Sequence, residues 1–447
     1  MTATATEINW RTPLEAFAPL AGVPHAHLFH GGELAQAPWS VIVAFPVEMI
    51  ESHGDGAQLL SAIKAHLADR EKRAPAPWPF SSGLAGFLGY EALHGLEPTL
   101  IAPPSPEALP DAAFGVYDAA ALFSRREKRA FIVGRCDNAR RRLKGALGAA
   151  PISAPAGPLR ARLSSNFTRR AYRAAVSHIV ERIREGEFYQ ANISQRIVAK
   201  TAAPFAPFDL FRLIAKTSDA RFGALLQYEK GAIVSNSPER FFEISLDKDG
   251  SRRITTEPIK GTRRRAGDPK EDAARARELL NDPKDRAENI MIADLMRNDL
   301  SKICRDGSIR EDAICELARL RHVHHLVSRI SGLLREDVTA VDALRALFPS
   351  GSVTGAPKVA AMNAIASVEG CGRGPYCGAV GVIDDSGRAD FSVAIRTLSA
   401  DPSRRRVTIP VGGGVTLRSD PQSEYDETLD KAAHAAGAFP DLERAPT

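Results

Sequence analysis

Lys260 stands in the run Thr256-Glu257-Pro258-Ile259-Lys260-Gly261-Thr262, one long amine-bearing side chain bounded by Pro and Gly. A restrained backbone with a single projecting amine suits presentation of that amine to a bound ligand. Lysine is a nucleophile only when neutral, so desolvation or a neighbouring cation must lower its pKa. Beside Arg263, Arg264 and Arg265 the same lysine also reads as part of a solvated basic loop. Farther along, Asp285 and Glu288 fall at i and i+3 of an expected helix, on a face that Ile292 and Leu295 continue. Carboxylates aligned with an apolar stripe are aimed inward and need cations or donors to receive them. Glu424, Glu427 and Lys431 repeat the arrangement near the C-terminus. Two spaced acidic pairs offer the all-oxygen ligation that suits Mg²⁺, which keeps several waters; taken singly, each also reads as surface pairing, such as Glu427 with Lys431.

Other segments could surround these groups. Period-two alternation in Phe188-Tyr189-Gln190-Ala191-Asn192-Ile193-Ser194-Gln195-Arg196 puts Gln190, Asn192, Ser194 and Arg196 on one face, either a half-solvated strand or a polar cavity wall. In a strand, His322 and His324 face one side and His325 the other, which favours structural roles for two of the three. Gly412-Gly413-Gly414 follows a strand-like run and could present backbone N–H groups to a carboxylate, or form a bulge or turn. Pro349 to Lys358 is a Gly/Ser/Thr-rich loop able to hold an anion at a helix N-terminus, without the spacing of a Walker loop.

The elements that must position these residues are signalled locally. Thr168 can cap a helix with Tyr172, Val176, Ile179, Val180 and Ile183 on one face, ending at Gly186. Asp282-Pro283 precedes a long helix over about 284–303, and Asp420-Pro421 opens another. Strand-like runs occur at Ser40 to Phe45, Gly83 to Gly89 and Ala130 to Val133. Gly145 to Pro158 is poor in residues to bury and rich in helix breakers, dividing an N-terminal region, 1–145, from a domain over 164–440 through a linker at 146–163.

The chain has 447 residues, 44% hydrophobic and 25% charged, with net charge +5 and five cysteines. These values fit a globular protein with two or three domains' worth of chain. The five cysteines are odd in number and form no C-x-x-C pair, so neither a zinc ribbon nor a disulfide framework is expected. No signal-like N-terminal segment and no apolar run long enough to span a membrane is seen, so a cytoplasmic protein without membrane contact is expected. Arg125 to Lys144 is the densest basic stretch; with Phe131 as its lone aromatic it reads as a solvated face, and no nucleic-acid partner is expected.

Taken in order, Glu-Phe-Tyr-Gln-Ala-Asn-Ile-Ser-Gln, Ser-Asn-Ser-Pro-Glu-Arg-Phe, Pro-Ile-Lys-Gly-Thr-Arg, Arg-Ala-Glu-Asn-Ile-Met-Ile-Ala-Asp-Leu-Met-Arg-Asn-Asp-Leu, Pro-Ser-Gly-Ser-Val-Thr-Gly-Ala-Pro-Lys, Ala-Ile-Arg-Thr and Asp-Pro-Gln-Ser-Glu-Tyr-Asp-Glu-Thr-Leu-Asp-Lys-Ala resemble the signatures of the chorismate-utilising enzymes over Thr168 to Phe439. The resemblance implies an α+β fold, a large two-sheet antiparallel sandwich flanked by helices, to which a smaller N-terminal region contributes. It implies Mg²⁺ held through Glu288 and Glu427, with Asp285 and Glu424 as direct or water-mediated partners. Asp285 stands where relatives commonly have Glu. Lys431, Arg396, Tyr376 and the backbone of Gly412, Gly413 and Gly414 resemble the binders of the substrate carboxylates, with Thr262, His325 and Ser352 beside them.

Two positions bear on the branch of the family. Isochorismate and salicylate synthases carry a lysine base where this chain has Gln190, and glutamine cannot take a proton, so a water-adding route is disfavoured. Anthranilate synthases usually have Ala where Lys260 stands, whereas Lys260 is similar to the lysine nucleophile of aminodeoxychorismate synthases. That likeness implies Glu239 as general acid toward the C4 hydroxyl of chorismate and Lys260 as nucleophile at C2. Ammonia then enters at C4, giving 4-amino-4-deoxychorismate on the route to p-aminobenzoate and folate. A separate glutamine amidotransferase subunit is implied as the ammonia source, in a heterodimer. The alternatives are an anthranilate synthase component I of tryptophan biosynthesis and a non-catalytic basic protein that keeps the fold. The N-terminal region matches least: His25 to Gly32 stands where relatives often carry a Leu-Leu-Glu-Ser-like segment of a tryptophan site, so the resemblance does not carry tryptophan binding over to this region.

Overall fold

The computed structural model describes residues 4–32, 39–70, 77–97, 99–100, 103–151, 157–217, 220–321 and 323–444. Among these, two antiparallel sheets of twelve and ten strands form the centre of the molecule. The twelve-stranded sheet runs in the order Thr4–Ile8, Arg129–Gly134, Ala119–Ser124, Trp39–Val43, His27–His30, Phe222–Tyr228, Gly231–Ser237, Thr397–Asp401, Arg406–Thr416, Gln190–Thr201 and Gly355–Ala356, with Ala161–Ser165 also paired to Gln190–Thr201. The ten-stranded sheet runs Ile259–Arg264, Val323–Leu333, Arg252–Glu257, Arg240–Leu246, Ala389–Val393, Ala379–Asp384, Gly83–Leu88, Ala112–Tyr117 and Glu48–Ser52, with Arg310–Arg319 paired to Val323–Leu333.

The first 145 residues supply strands to both sheets. His27–His30 pairs with Phe222–Tyr228, and Gly83–Leu88 pairs with Ala379–Asp384. The expected linker includes residues 152–156, which lie outside the described residues, and its end enters the strand Ala161–Ser165.

Side-chain alternation builds the layers. Along Gly83–Leu88, Ala85 and Phe87 join clusters with Val41, Leu122, Ala224 and Leu226 of the other sheet, so the two sheets meet face to face. Leu84 and Leu88 point the other way, into a cluster with Leu60, Ile292 and Leu344 from helices Gly56–Asp69, Pro283–Ser301 and Ala340–Leu347. Every residue of that strand is buried, as expected where both faces of a sheet are covered. The twelve-stranded sheet is covered outside by Phe17, Leu143, Phe211 and Phe439, and toward its far end by helices Arg169–Arg184, Lys358–Glu369 and Pro421–Ala432.

The local signals perform as the sequence suggests. Thr168 accepts from Ala171 N to start Arg169–Arg184, whose buried residues include Tyr172, Val176, Ile179, Val180 and Ile183. Asp282 accepts from the amides of Lys284 and Asp285 and starts Pro283–Ser301; Asp420 accepts from Ser423 N and starts Pro421–Ala432. In the basic stretch 125–144, Arg129 pairs with Glu7, Arg135 with Asp385 and Arg140 with Asp137. Among the described residues no helix is long and apolar enough to cross a membrane.

Candidate active site

Lys260 lies on the terminal strand Ile259–Arg264 of the ten-stranded sheet, opposite Leu326, while Thr262 lies opposite His325. The register shifts between them at Gly261, which has φ +82°. Such a bulge bends the strand and re-aims the neighbouring side chain, and the left-handed backbone calls for glycine. Helix Pro283–Ser301 is tied to the partner strand by Asn289 Nδ2 donating to Leu326 O at 3.0 Å. Glu288, the residue before Asn289, is the carboxylate that acts most strongly on Lys260.

Glu239 sits on the short connection that leaves Gly231–Ser237 in one sheet and enters Arg240–Leu246 in the other. Its backbone is pinned from both sides: its N–H donates to Ser237 Oγ at 3.2 Å, and its carbonyl accepts from Val393 N at 3.1 Å. The side chain is buried, and Oε1 has no hydrogen-bond partner. Burial pushes the carboxyl up to about 7 against the opposing pull of Ser352, Lys260 and the backbone of Ile259. A carboxyl with that pKa holds a proton near neutrality and can release it, as a general acid must.

Gly413 and Gly414 of strand Arg406–Thr416 lie beside the site, whereas a Cβ on Gly412 would meet Ile193 O and Ser194. A Cβ on Gly414 would stand 2.3 Å from Gln190 Nε2 and 3.3 Å from Lys260 Nζ. On Gly413 it would stand 3.1 Å from Glu424 Oε2 and 3.8 Å from both Glu427 Oε1 and Lys431 Nζ. Side chains from the 190 strand, the 260 strand and the C-terminal helix thus converge on backbone with no side chain of its own. Lys431 Nζ donates to Gly412 O at 2.9 Å and pairs with Glu427 Oε1 at 2.6 Å, so the expected i,i+4 pair is formed at the rim of the site.

Charges around Lys260 are set against each other. Burial lowers its pKa and Lys431 lowers it further, while Glu288, Glu239 and Glu427 raise it; the balance leaves the amine below the ordinary lysine value. Burial raises the Glu288 and Glu424 carboxyls. Burial also pulls Glu427 up, but Lys431, Lys284 and Lys260 more than offset it and hold that carboxyl below its usual range. Glu424 Oε1 accepts from Ser419 Oγ at 2.6 Å, with Lys284 Nζ 4.0 Å away.

His325 Nδ1 is 2.9 Å from Thr262 Oγ1, its Nε2 has no partner, and burial, aided by Arg396, drives its pKa down to about 4. Arg396, at φ +49°, is in charge contact with His325 and with His434. Burial alone holds its guanidinium below the ordinary arginine value, with no carboxylate among the causes, which leaves it able to receive an anion. Ser352 stands 3.0 Å from Ser350 Oγ at the start of the expected anion loop. Lys358 at the end of that loop is committed to Asp299 at 2.7 Å and to Leu347 O.

Some expected residues lie apart from this group. Tyr376 is buried beside Arg373, whose guanidinium is 6.0 Å from its ring centroid, in a network with Glu369 and Ser194. The polar face of the 190 strand is therefore divided: Gln190 faces Lys260, whereas Ser194 serves Glu369, and Arg196 reaches Glu107 and Gly372 O. His324 is bound to Asp272 at 2.9 Å, and His322 lies outside the described residues. Lys284, Ser419 and His434 belong to the site and were not singled out in the sequence. Asp420-Pro421 as a helix start was the one available hint to Ser419, whose Oγ also accepts from Thr416 N.

Fit to a divalent cation can be judged from the oxygens. Glu288 Oε1 and Glu424 Oε2 are buried without partners, and Glu427 Oε1 flanks the same glycine as Glu424. Hard, unpartnered oxygens from two facing helices suit Mg²⁺ with waters completing its shell. Among the described residues no three His, Cys, Asp or Glu converge as a ready-made metal cluster, and Asp285 Oδ2 is already held by Arg263 at 3.0 Å.

This fold and site have known counterparts. The chorismate binding enzyme family matches residues 28–437, and the chain belongs to that family. It is 34% identical to the aminodeoxychorismate synthase component 1 of Klebsiella aerogenes, over 93% of this chain and 94% of that protein. It is also 34% identical to the anthranilate synthase component 1 of Streptomyces coelicolor, over 94% of this chain and 85% of that protein. The crystal structure of anthranilate synthase component I from Streptococcus pneumoniae superposes with a TM-score of 0.79 at 28% identity, over 90% of this chain and 93% of that one.

Proposed function

We propose that the protein aminates chorismate at C4, forming 4-amino-4-deoxychorismate for p-aminobenzoate and folate synthesis, with ammonia supplied by a glutamine amidotransferase subunit. The observation that carries this reading is Lys260: an amine below its ordinary pKa, facing a carboxyl that holds a proton near pH 7, in a family site. Arg396 and Lys431 bind the substrate carboxylates, with Gly412 to Gly414 giving the close approach. Glu288, Glu424 and Glu427 would hold Mg²⁺, which would supply positive charge to neutralise a substrate carboxylate.

Lys260 Nζ attacks C2, both ring double bonds shift along the conjugated path toward C4, and the C4–O bond breaks as Glu239 delivers its proton, releasing water. Ammonia then adds at C4, both double bonds shift back, and the C2–N bond breaks, which regenerates the lysine. The proton lost by the incoming ammonia returns to Glu239. Gln190 beside Lys260 is neither an acid nor a base near neutral pH, which disfavours activation of water at C2.

A second reading, anthranilate formation, is favoured by the equal identity to an anthranilate synthase component 1. Mass analysis of products from purified protein with chorismate, Mg²⁺ and ammonium separates the two. An amino-chorismate that retains its pyruvyl group supports the first; anthranilate with pyruvate would replace it by the second.

A further inference from the structure

The arginine run after Lys260 has no part in the reaction as drawn, yet its first member is the most heavily engaged cation near the site. Arg263 Nε contacts Glu278 Oε1 at 2.8 Å, Nη2 contacts Asp282 Oδ2 at 2.9 Å, and Nη1 contacts Asp285 Oδ2 at 3.0 Å. Nη1 also donates to Thr262 O at 3.1 Å, returning to the backbone of its own strand. One guanidinium thus joins helix Pro269–Asn281, the cap Asp282, the first turn of Pro283–Ser301 and the strand of Lys260.

Asp285 is held from its other side by Gly261. A Cβ on Gly261 would stand 3.0 Å from both Cβ and Cγ of Asp285, so the carboxylate stem rests on the bulged residue next to Lys260. Glu288, one turn along, differs: its Oε1 is buried without a partner and free for a cation. Equivalent spacing on one helix face therefore conceals two jobs.

We infer that Arg263 and Asp285 form a positioning clamp that fixes the Gly261 bulge and so the aim of Lys260, and that Asp285 is not a magnesium ligand. The inference rests on the assignment of Lys260 as nucleophile. Shortening Glu to Asp, the departure noted at this position, draws the carboxylate back onto the strand and away from the carboxylates of the C-terminal helix.

The test uses the full-length chain with Asp285→Asn, Asp285→Glu, Arg263→Ala, Arg263→Lys and the double Asp285→Asn/Arg263→Ala, with Glu288→Gln as the metal reference. Calorimetric titration with Mg²⁺ alone is expected to give an affinity within about twofold of wild type for Asp285→Asn, an affinity no weaker than wild type for Asp285→Glu, whose longer side chain reaches back toward the C-terminal helix, and a loss of about tenfold or more for Glu288→Gln. With chorismate and ammonium, Asp285→Asn and Arg263→Ala should each lower kcat about 30-fold with KM within about threefold, the double variant falling no lower than the worse single one. Arg263→Lys should recover part of that kcat. A loss of Mg²⁺ affinity in Asp285→Asn as large as in Glu288→Gln overturns the inference, as do kcat losses that multiply in the double variant. If Arg263→Ala does not fold, Asp285→Asn decides alone: Mg²⁺ affinity kept with kcat lowered supports the inference, and Mg²⁺ affinity lost as in Glu288→Gln overturns it. A wild-type protein that leaves chorismate untouched would defeat the proposed reaction, and the magnesium titration would still decide what Asp285 does.

Discussion

Replacing Glu239 with Gln separates its proton from its shape. Gln keeps the volume and polarity in a site where the carboxylate is 3% exposed, but it has no charge at any pH. Burial has raised the native carboxyl from 4.5 to about 7, and at ~1.36 kcal/mol per pK unit this corresponds to about 3 kcal/mol between its two protonation states. The sign follows from linkage: a folded pKa above the unfolded one means the folded chain keeps the proton longer. The stabilisation is complete below about pH 4.5 and is lost as pH rises through about 7. Glu239→Gln should therefore match wild type in acid and become the more stable protein above pH 8, by up to about 3 kcal/mol. Urea unfolding of both proteins in parallel from pH 5 to 9 measures this, and the difference cancels Glu91, which is also raised to about 7 by burial. In the same variant the rate of chorismate consumption should fall about 10²- to 10⁴-fold, as for loss of a general acid. A stability difference that does not change with pH would refute the reasoning, because the carboxyl would then titrate alike in folded and unfolded chains.

Three further outcomes are expected. Gly414→Ala places a methyl 2.3 Å from the flexible amide of Gln190 and 3.3 Å from Lys260 Nζ, so thermal unfolding should move little while turnover falls about tenfold or more. Arg373→Met strands Glu369, buried 2.7 Å from the guanidinium, and should destabilise the fold by about 3–5 kcal/mol in denaturant titrations without changing magnesium affinity. Gly261→Ala forces a side chain into φ +82° against Asp285 and should lower kcat more than it raises KM, which steady-state kinetics will show.

What could be read from the sequence was what short-range chemistry determines. Thr168, Asp282 and Asp420 cap their helices because a side-chain oxygen needs only an amide two or three residues on. The acidic pairs and the glycine run were visible as spacing. The joining of residues 27–30 and 83–88 to strands about two and three hundred residues later was not, since pairing partners leave no mark at such distance. Period-two alternation in the 190 strand gave the face of Gln190 but not its division, because Ala191, Ile193 and Gln195 are buried as well. Arg263 resembled its solvated neighbours in the sequence; three carboxylates delivered by other segments make it different.

The proposed reaction depends most on a covalent bond between Lys260 and the substrate ring. Intact-protein and peptide mass spectrometry of protein quenched during incubation with chorismate and Mg²⁺, with ammonia withheld, observes that bond directly. A Lys260-containing peptide heavier by chorismate less one water is expected, absent from Lys260→Ala and discharged when ammonium is added. No such adduct, together with undiminished C4 amination by Lys260→Ala, would contradict it.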